Sequence, residues 1–170
     1  MDKPFILQFL EVMDARYQLE YKSKGRLKRE KIGYSGHMQF DEMIKPLIPD
    51  KWEVIHDISF ELNYGKTQID TLLIAPHGFY HFEVKNFLSD YEYTEGEWRN
   101  SSGKMMRNFF TQLTRQNEIL NGLLFDFGIK APLESKLVLI NEDDTVKFFE
   151  NKSSEYLKRG HIRSYIKEIK

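Results

Sequence analysis

Three charged residues, Asp70, Glu83 and Lys85, stand inside the otherwise apolar stretch QIDTLLIAPHGFYHFEVKN, residues 68–86. Two runs rich in β-branched and aromatic residues flank a Pro-His-Gly turn signal, which is the pattern of a β-hairpin. With Ala75 to Gly78 as the loop, Ile74 faces Phe79, and the same register sets Asp70 opposite Glu83 and Gln68 opposite Lys85. Side chains alternate between the two faces of a strand. Gln68, Asp70, Glu83 and Lys85 therefore share one face, with Leu72, Ile74, Phe79 and His81 alongside. Ile69, Leu73, Tyr80, Phe82 and Val84 share the other, which is a core face.

Two carboxylates directly opposite one another in a sheet repel. Lys85 offsets part of that repulsion, and a divalent cation offsets more. Magnesium binds through one or two carboxylates and leaves positions for water and phosphate oxygens. A Lys beside such an ion orients a water or stabilises charge developing on phosphorus. An Asp on one strand and Glu-x-Lys on the next is thus an arrangement suited to metal-assisted phosphodiester hydrolysis. Glu-x-Lys alone is common in half-exposed strands. The opposed Asp makes the arrangement specific, because polar sheet faces otherwise avoid like-charge pairing.

The elements that must position these residues follow from the periodicity. Residues 4–20 predict an amphipathic helix, with Pro4 suited to its first turn. The segment YKSKGRLKREK holds six basic residues against one acid, Glu30. It reads as a solvated linker or helix face, or as an arm that contacts phosphate. Gly33 and Gly36 suggest a tight turn, with a helix from about Gly36 to Lys45, where Pro46 ends it. Strands are expected in WEVIHDISFEL, TQIDTLLIA, FYHFEVKNF, DYEYTEGEWR, KLVLIN and TVKFFE. A helix is expected over residues 107–127 with Gly128 as its stop, and SEYLKRGHIRSYIKEIK reads as a basic C-terminal helix. This order predicts an α/β or α+β fold, a central mixed sheet flanked by helices. It divides into an N-terminal helix and basic segment (1–32), a core domain (33–150) and a basic C-terminal helix (151–170).

Composition bounds the function. The 170 residues suffice for one domain with an ordinary core. A net charge of −1 removes any global basic field, so nucleic-acid binding must come from a local patch. With no cysteine, disulfides, thiolate zinc sites and cysteine nucleophiles are excluded, and a reducing cytoplasm suits the chain. No apolar run approaches the roughly 18 residues of a membrane span, so no membrane partner is expected. PFILQFL is short and lacks both a strong basic flank and a small-residue cleavage site, which argues against a signal peptide. P-loop, dinucleotide-binding and nucleophile-elbow patterns are missing.

GYSGHMQFDEMI, QIDTLLIAPHGFYHFEVKNF, GEW and RNFFTQLTRQ, in that order, resemble the nuclease-related domain (NERD), a family grouped with the PD-(D/E)XK nucleases. The resemblance covers about residues 33–141, and QID…FEVKN is its specific part. It implies a restriction-endonuclease-like fold and a Mg2+- or Mn2+-dependent nuclease acting on DNA. In that light Asp70 and Glu83 are the metal-binding acids, Lys85 the catalytic Lys, and Gln112 the helical Gln near the site. Gln116 lies one turn on, on the same helix side, and both Gln also read as a solvated helix flank. Arg115 between them is expected to touch phosphate, and Gln68 and Asn86 to help bind substrate. The chain departs from the family at His37, where Gly-x-x-Gly-Glu is usual. Asp41 and Glu42 lie about one turn further along, and His37 is itself a candidate ligand as a neutral imidazole. The departure leaves a second expectation, a nucleic-acid-binding or interaction module with weakened catalysis.

Overall fold

The computed structural model describes residues 1–62, 65–143 and 145–170. Two helices open the chain, α1 (Phe5–Arg16) and α2 (Tyr21–Ile44), followed by a short 3-10 turn at Lys45–Leu47. Strands β1 (Glu53–Leu62), β2 (Gly65–Ala75) and β3 (Gly78–Lys85) form an antiparallel meander. A hairpin of β4 (Tyr91–Thr94) and β5 (Glu97–Asn100) leads to α3 (Phe109–Asp126). Then come β6 (Leu133–Leu139), β7 (Val146–Phe148), β8 (Tyr156–Lys158) and α4 (Arg159–Glu168).

The main sheet has the order β1-β2-β3-β6-β8, with β3, β6 and β8 mutually parallel. Parallel neighbours need a long crossover, and between β3 and β6 it is built from the β4–β5 hairpin and α3. A second, three-stranded sheet in the order β5-β4-β7 packs beside it. The β4–β5 turn places Glu95 and Gly96 at φ 52° and 77°. A two-residue hairpin turn of this hand matches the natural strand twist. This is a mixed α+β fold of the restriction-endonuclease-like kind, with the sheet flanked by four helices.

Each sheet face buries a different helix. On one side Phe40 and Ile44 of α2 and Ile162 and Ile166 of α4 pack on Leu73, Phe82, Val138 and Ile140. On the other, Leu120 of α3 meets Ile69 and Leu72, and Phe109, Phe110 and Leu113 meet Leu137, Leu139 and Trp98. Burying one such side chain is worth about 1.5–3 kcal/mol, so the sheet's position between the helices is strongly fixed.

Three expectations are corrected. There is no turn at Gly33–Gly36, because α2 runs unbroken from Tyr21 and carries the basic segment as helix. Lys and Arg are good helix formers, and the absence of a side chain at Gly36 lets α2 come close to β3. A Cβ there would stand 2.7 Å from Asn86 Cβ. The C-terminal segment does not start as helix, since Tyr156–Lys158 is strand β8, pairing with Leu137–Leu139. Finally, Ile69 does not share a face with Leu73. It packs with Leu72, Ile74 and Phe79, because the strand alternation slips at Asp70.

Candidate active site

The β2–β3 pairs run from Ala75↔Gly78 to Thr71↔Phe82 in the register expected from the sequence, and there the ladder ends. Asp70 takes over from the backbone: its Oδ2 accepts from the Val84 N–H at 2.9 Å. The β1–β2 ladder breaks at the same level. His56↔Thr71 and Ile58↔Ile69 are paired, whereas Asp57, which the register sets across from Asp70, is not. Asp57 has a φ of 53°, a left-handed conformation uncommon outside Gly. This local kink rotates the strands, so Ile69 faces α3, and it brings a third carboxylate to the site. Sequence reasoning passed over Asp57. Its one signal is an acid inside an apolar strand.

Among the described residues Glu83 is the most enclosed acid, 2% exposed. Its Oε1 accepts from Lys85 Nζ, two residues along the same strand face, and from Gln112 Nε2 at 2.5 Å. Its Oε2 accepts from Gln116 Nε2 at 2.6 Å. Gln116 is also buried and reaches the Gln68 carbonyl at 2.8 Å, so it ties α3 to β2 and β3 together. Neither Gln is a solvated flank. Their spacing of four puts both amides on one helix side. Asn108 caps the start of α3 by accepting from Phe110 N and Thr111 N, which fixes the helix over the strand.

Among the described residues no Lys or Arg side chain is paired with Asp70. Burial, and then the charge of Glu83, push its carboxyl up to about 7 from 3.8. His37 Nε2 lies 3.9 Å from Asp70 Oδ2, but burial lowers the imidazole pKa, so His37 sits there neutral. Its Nδ1 is buried with no hydrogen-bond partner. Asp41 is turned away, its Oδ1 3.0 Å from His56 Nε2. His81 is wholly buried, with Nδ1 3.2 Å from Ser135 Oγ and a pKa lowered by burial to about 4.

Two cavities meet at these residues. One, about 290 Å³, lies against α2 and is walled by Gly33, His37, Asp57, Gln68 and Asp70. The other, about 330 Å³, lies against α3 and is walled by Lys66, Arg107, Arg115, Gln68, Gln112 and Gln116, with no acid in its lining. Arg115 thus faces a cationic hollow beside Glu83, and Lys66 and Arg107 join it unforeseen. The Gln68 amide donates to Asp57, and the Asn86 amide donates to the Ile32 carbonyl at 3.0 Å, tying β3 to α2.

The side chains present fit a hard divalent cation. Asp70 and Glu83 are two oxygen donors, and the charge that raises the Asp70 pKa is the charge such an ion would neutralise. Among the described residues no three His, Asp or Glu side chains converge as a closed cage. Magnesium does not need one, because it keeps several waters. Against models of known families, residues 32–140 match the nuclease-related domain, NERD. No curated protein and no solved structure matches the chain.

Proposed function

The chain belongs to the nuclease-related domain family, which is assigned to the PD-(D/E)XK superfamily, and on that premise we propose that it is a metal-dependent nuclease that hydrolyses phosphodiester bonds of DNA. The observation that carries this reading is the Asp70–Glu83 pair: a half-buried carboxylate with no Lys or Arg paired to it among the described residues, beside a buried one to which Lys85 is bonded. Asp70 and Glu83 would hold Mg2+ or Mn2+, which when bound polarises the scissile phosphate and makes water a stronger nucleophile.

Each of the chain's own groups has a part. Gln112 and Gln116 fix the Glu83 carboxylate, so its lone pairs are presented in one orientation. Lys85 keeps a positive charge beside Glu83, where it can orient the attacking water and stabilise charge gathering on the phosphate oxygens. Lys66, Arg107 and Arg115 offer a sequence-independent grip on the neighbouring phosphates. In the reaction a water oxygen bonds to phosphorus, the ester P–O bond breaks, and a proton reaches the departing alkoxide. The cysteine-free chain suits a reducing compartment such as the cytoplasm.

A specific observation favours a second reading. His37 stands neutral beside Asp70 where the family commonly has Glu. With one acid fewer on that side, the domain would bind nucleic acid and cut it slowly or not at all. Plasmid DNA and single-stranded DNA, each incubated with the protein in magnesium, in manganese and in chelator, separate the two. Cutting of either substrate that requires the metal supports the nuclease. Salt-sensitive binding with no cutting of either substrate in either metal supports the binding module.

A further inference from the structure

A third cavity, about 260 Å³, opens where Lys85 ends β3, Leu139 ends β6, and Lys158 ends β8 before α4. Its character differs from that of the α3-side hollow. The α3 side is lined by polar residues alone. This one has an apolar floor of Phe87, Leu139 and Val146, none more than 9% exposed, and its wall carries two acids, Glu142 and Asp143, as well as basic groups. Ring contacts with Tyr91, Trp98 and Phe109, at centroid distances of 4.2–6.0 Å, hold Phe87 in place.

Cationic groups stand at the edges of that floor. Lys85 belongs both to the cavity and to the Glu83 pair. Arg159, at the start of α4, donates to Gln39 Oε1 at 2.7 Å and to the Ile140 carbonyl at 3.1 Å, and it pairs with the exposed Glu142 at 3.2 Å, a contact a phosphate would have to displace. The space equals about nine waters of liquid, which is room for a flat heterocycle and far more than an ion needs. An apolar face beside cationic side chains complements a nucleotide, whose base would meet the one and whose phosphate the other.

We propose that this cavity receives the nucleobase next to the scissile phosphate, so that the substrate is unpaired nucleic acid: a single strand, a flap or an extruded nucleotide. The inference rests on the nuclease reading of the Lys85 face. A base in a duplex is stacked and paired, and it must leave the helix to reach Phe87. The backbone then runs from the Lys66–Arg107–Arg115 hollow across Glu83 and Lys85, and the base turns in beyond Lys85.

Gly160 gives a way to close the cavity without disturbing the core. It forms part of the wall, and a Cβ added there meets nothing within 4 Å. A larger side chain has room at the mouth, and Leu favours the helix that Gly160 begins to build. Thr145→Phe blocks the same cavity from another wall.

The test is fluorescence anisotropy in chelator, so that binding is read without cleavage. The probes are a labelled single strand, its duplex, and a single strand of abasic sugar-phosphate. The wild-type chain should bind the single strand about tenfold more tightly than the abasic strand or the duplex. Gly160→Leu and Thr145→Phe, with unchanged melting temperatures, should bind all three alike. Variants that bind the single strand as tightly as wild type, or a wild-type preference for duplex, would overturn the proposal. Cleavage is scored separately. Loss of base-dependent binding in variants of a chain that never cuts leaves the base pocket standing and removes the nuclease. Normal single-strand binding by the variants of a chain that does cut does the reverse.

Discussion

Burial and the charge of Glu83 hold the Asp70 carboxyl near pH 7, against 3.8 for an ordinary Asp. With no cation bound, the folded protein keeps a proton at Asp70 that the unfolded chain has already released. The stability this gives is fully present below about pH 4 and is lost as pH rises through about 7. His37 and His81 have lowered pKa values and act with the opposite slope. His81 is common to wild type and variant, whereas His37, 3.9 Å from Asp70, is in contact with the changed residue and is controlled for by making the same comparison in a His37→Gln background. Asp70→Asn keeps an acceptor for the Val84 N–H and removes the charge. In chelator it should therefore melt above wild type at about pH 8, with the gap closing toward about pH 4. Adding magnesium should raise the melting temperature of wild type only, since only wild type gains a ligand of the folded state. A wild-type melt above that of the variant at pH 8 in chelator would show that Asp70 is relieved by a partner other than a metal. The hairpin register from Ala75↔Gly78 to Thr71↔Phe82 was legible in the sequence, because alternation and one turn signal fix it; beyond Thr71 the alternation slips, so the placing of Asp70 was not. Asp57 was not legible, because its place depends on a left-handed kink that no residue pattern encodes.

At the scale of elements, two of the three glycines of α2, Gly33 and Gly36, look alike in sequence and differ in structure. Gly36 is where the helix touches β3, and an added Cβ would meet Asn86 Cβ at 2.7 Å and Ile140 Cγ2 at 3.2 Å. Gly33 faces the α2-side cavity, and nothing lies within 4 Å of an added Cβ. Ala is the better helix former by about 1 kcal/mol. Gly33→Ala should therefore raise the unfolding free energy by about that much in urea. Gly36→Ala should lower it, since backbone must shift and overpacking costs about 1–3 kcal/mol. Equal effects at both positions would mean that α2 does not dock on β3 at Gly36. Two Gly at this spacing read as a turn, and only the docking of α2 reveals a helix running through both. Strand β8 was hidden for a related reason: its three residues gain strand character from pairing with β6, a non-local contact. Gln116 was ambiguous likewise, since its burial depends on α3 packing across Glu83.

At the scale of the whole molecule, a net charge of −1 conceals an uneven distribution. Lys66, Arg107 and Arg115 gather on the α3 side with no acid in the cavity lining, while the α2-side cavity holds Asp57 and Asp70. Single-strand binding should thus weaken with salt, and Arg115→Ala should reduce the log–log slope by about 0.7, the amount for one lost phosphate contact. An unchanged slope would take the strand off this side. Among the described residues no helix is long and apolar enough to cross a membrane. The central claim, that Asp70, Glu83 and Lys85 form one catalytic site, is met most directly by single-turnover DNA cleavage in magnesium. Wild type would be compared with Asp70→Asn, Glu83→Gln and Lys85→Ala, each shown by melting to be folded. The account predicts that each variant falls at least about a hundredfold in rate, while wild type cuts and stops in chelator. A folded variant that cuts at the wild-type rate would contradict it.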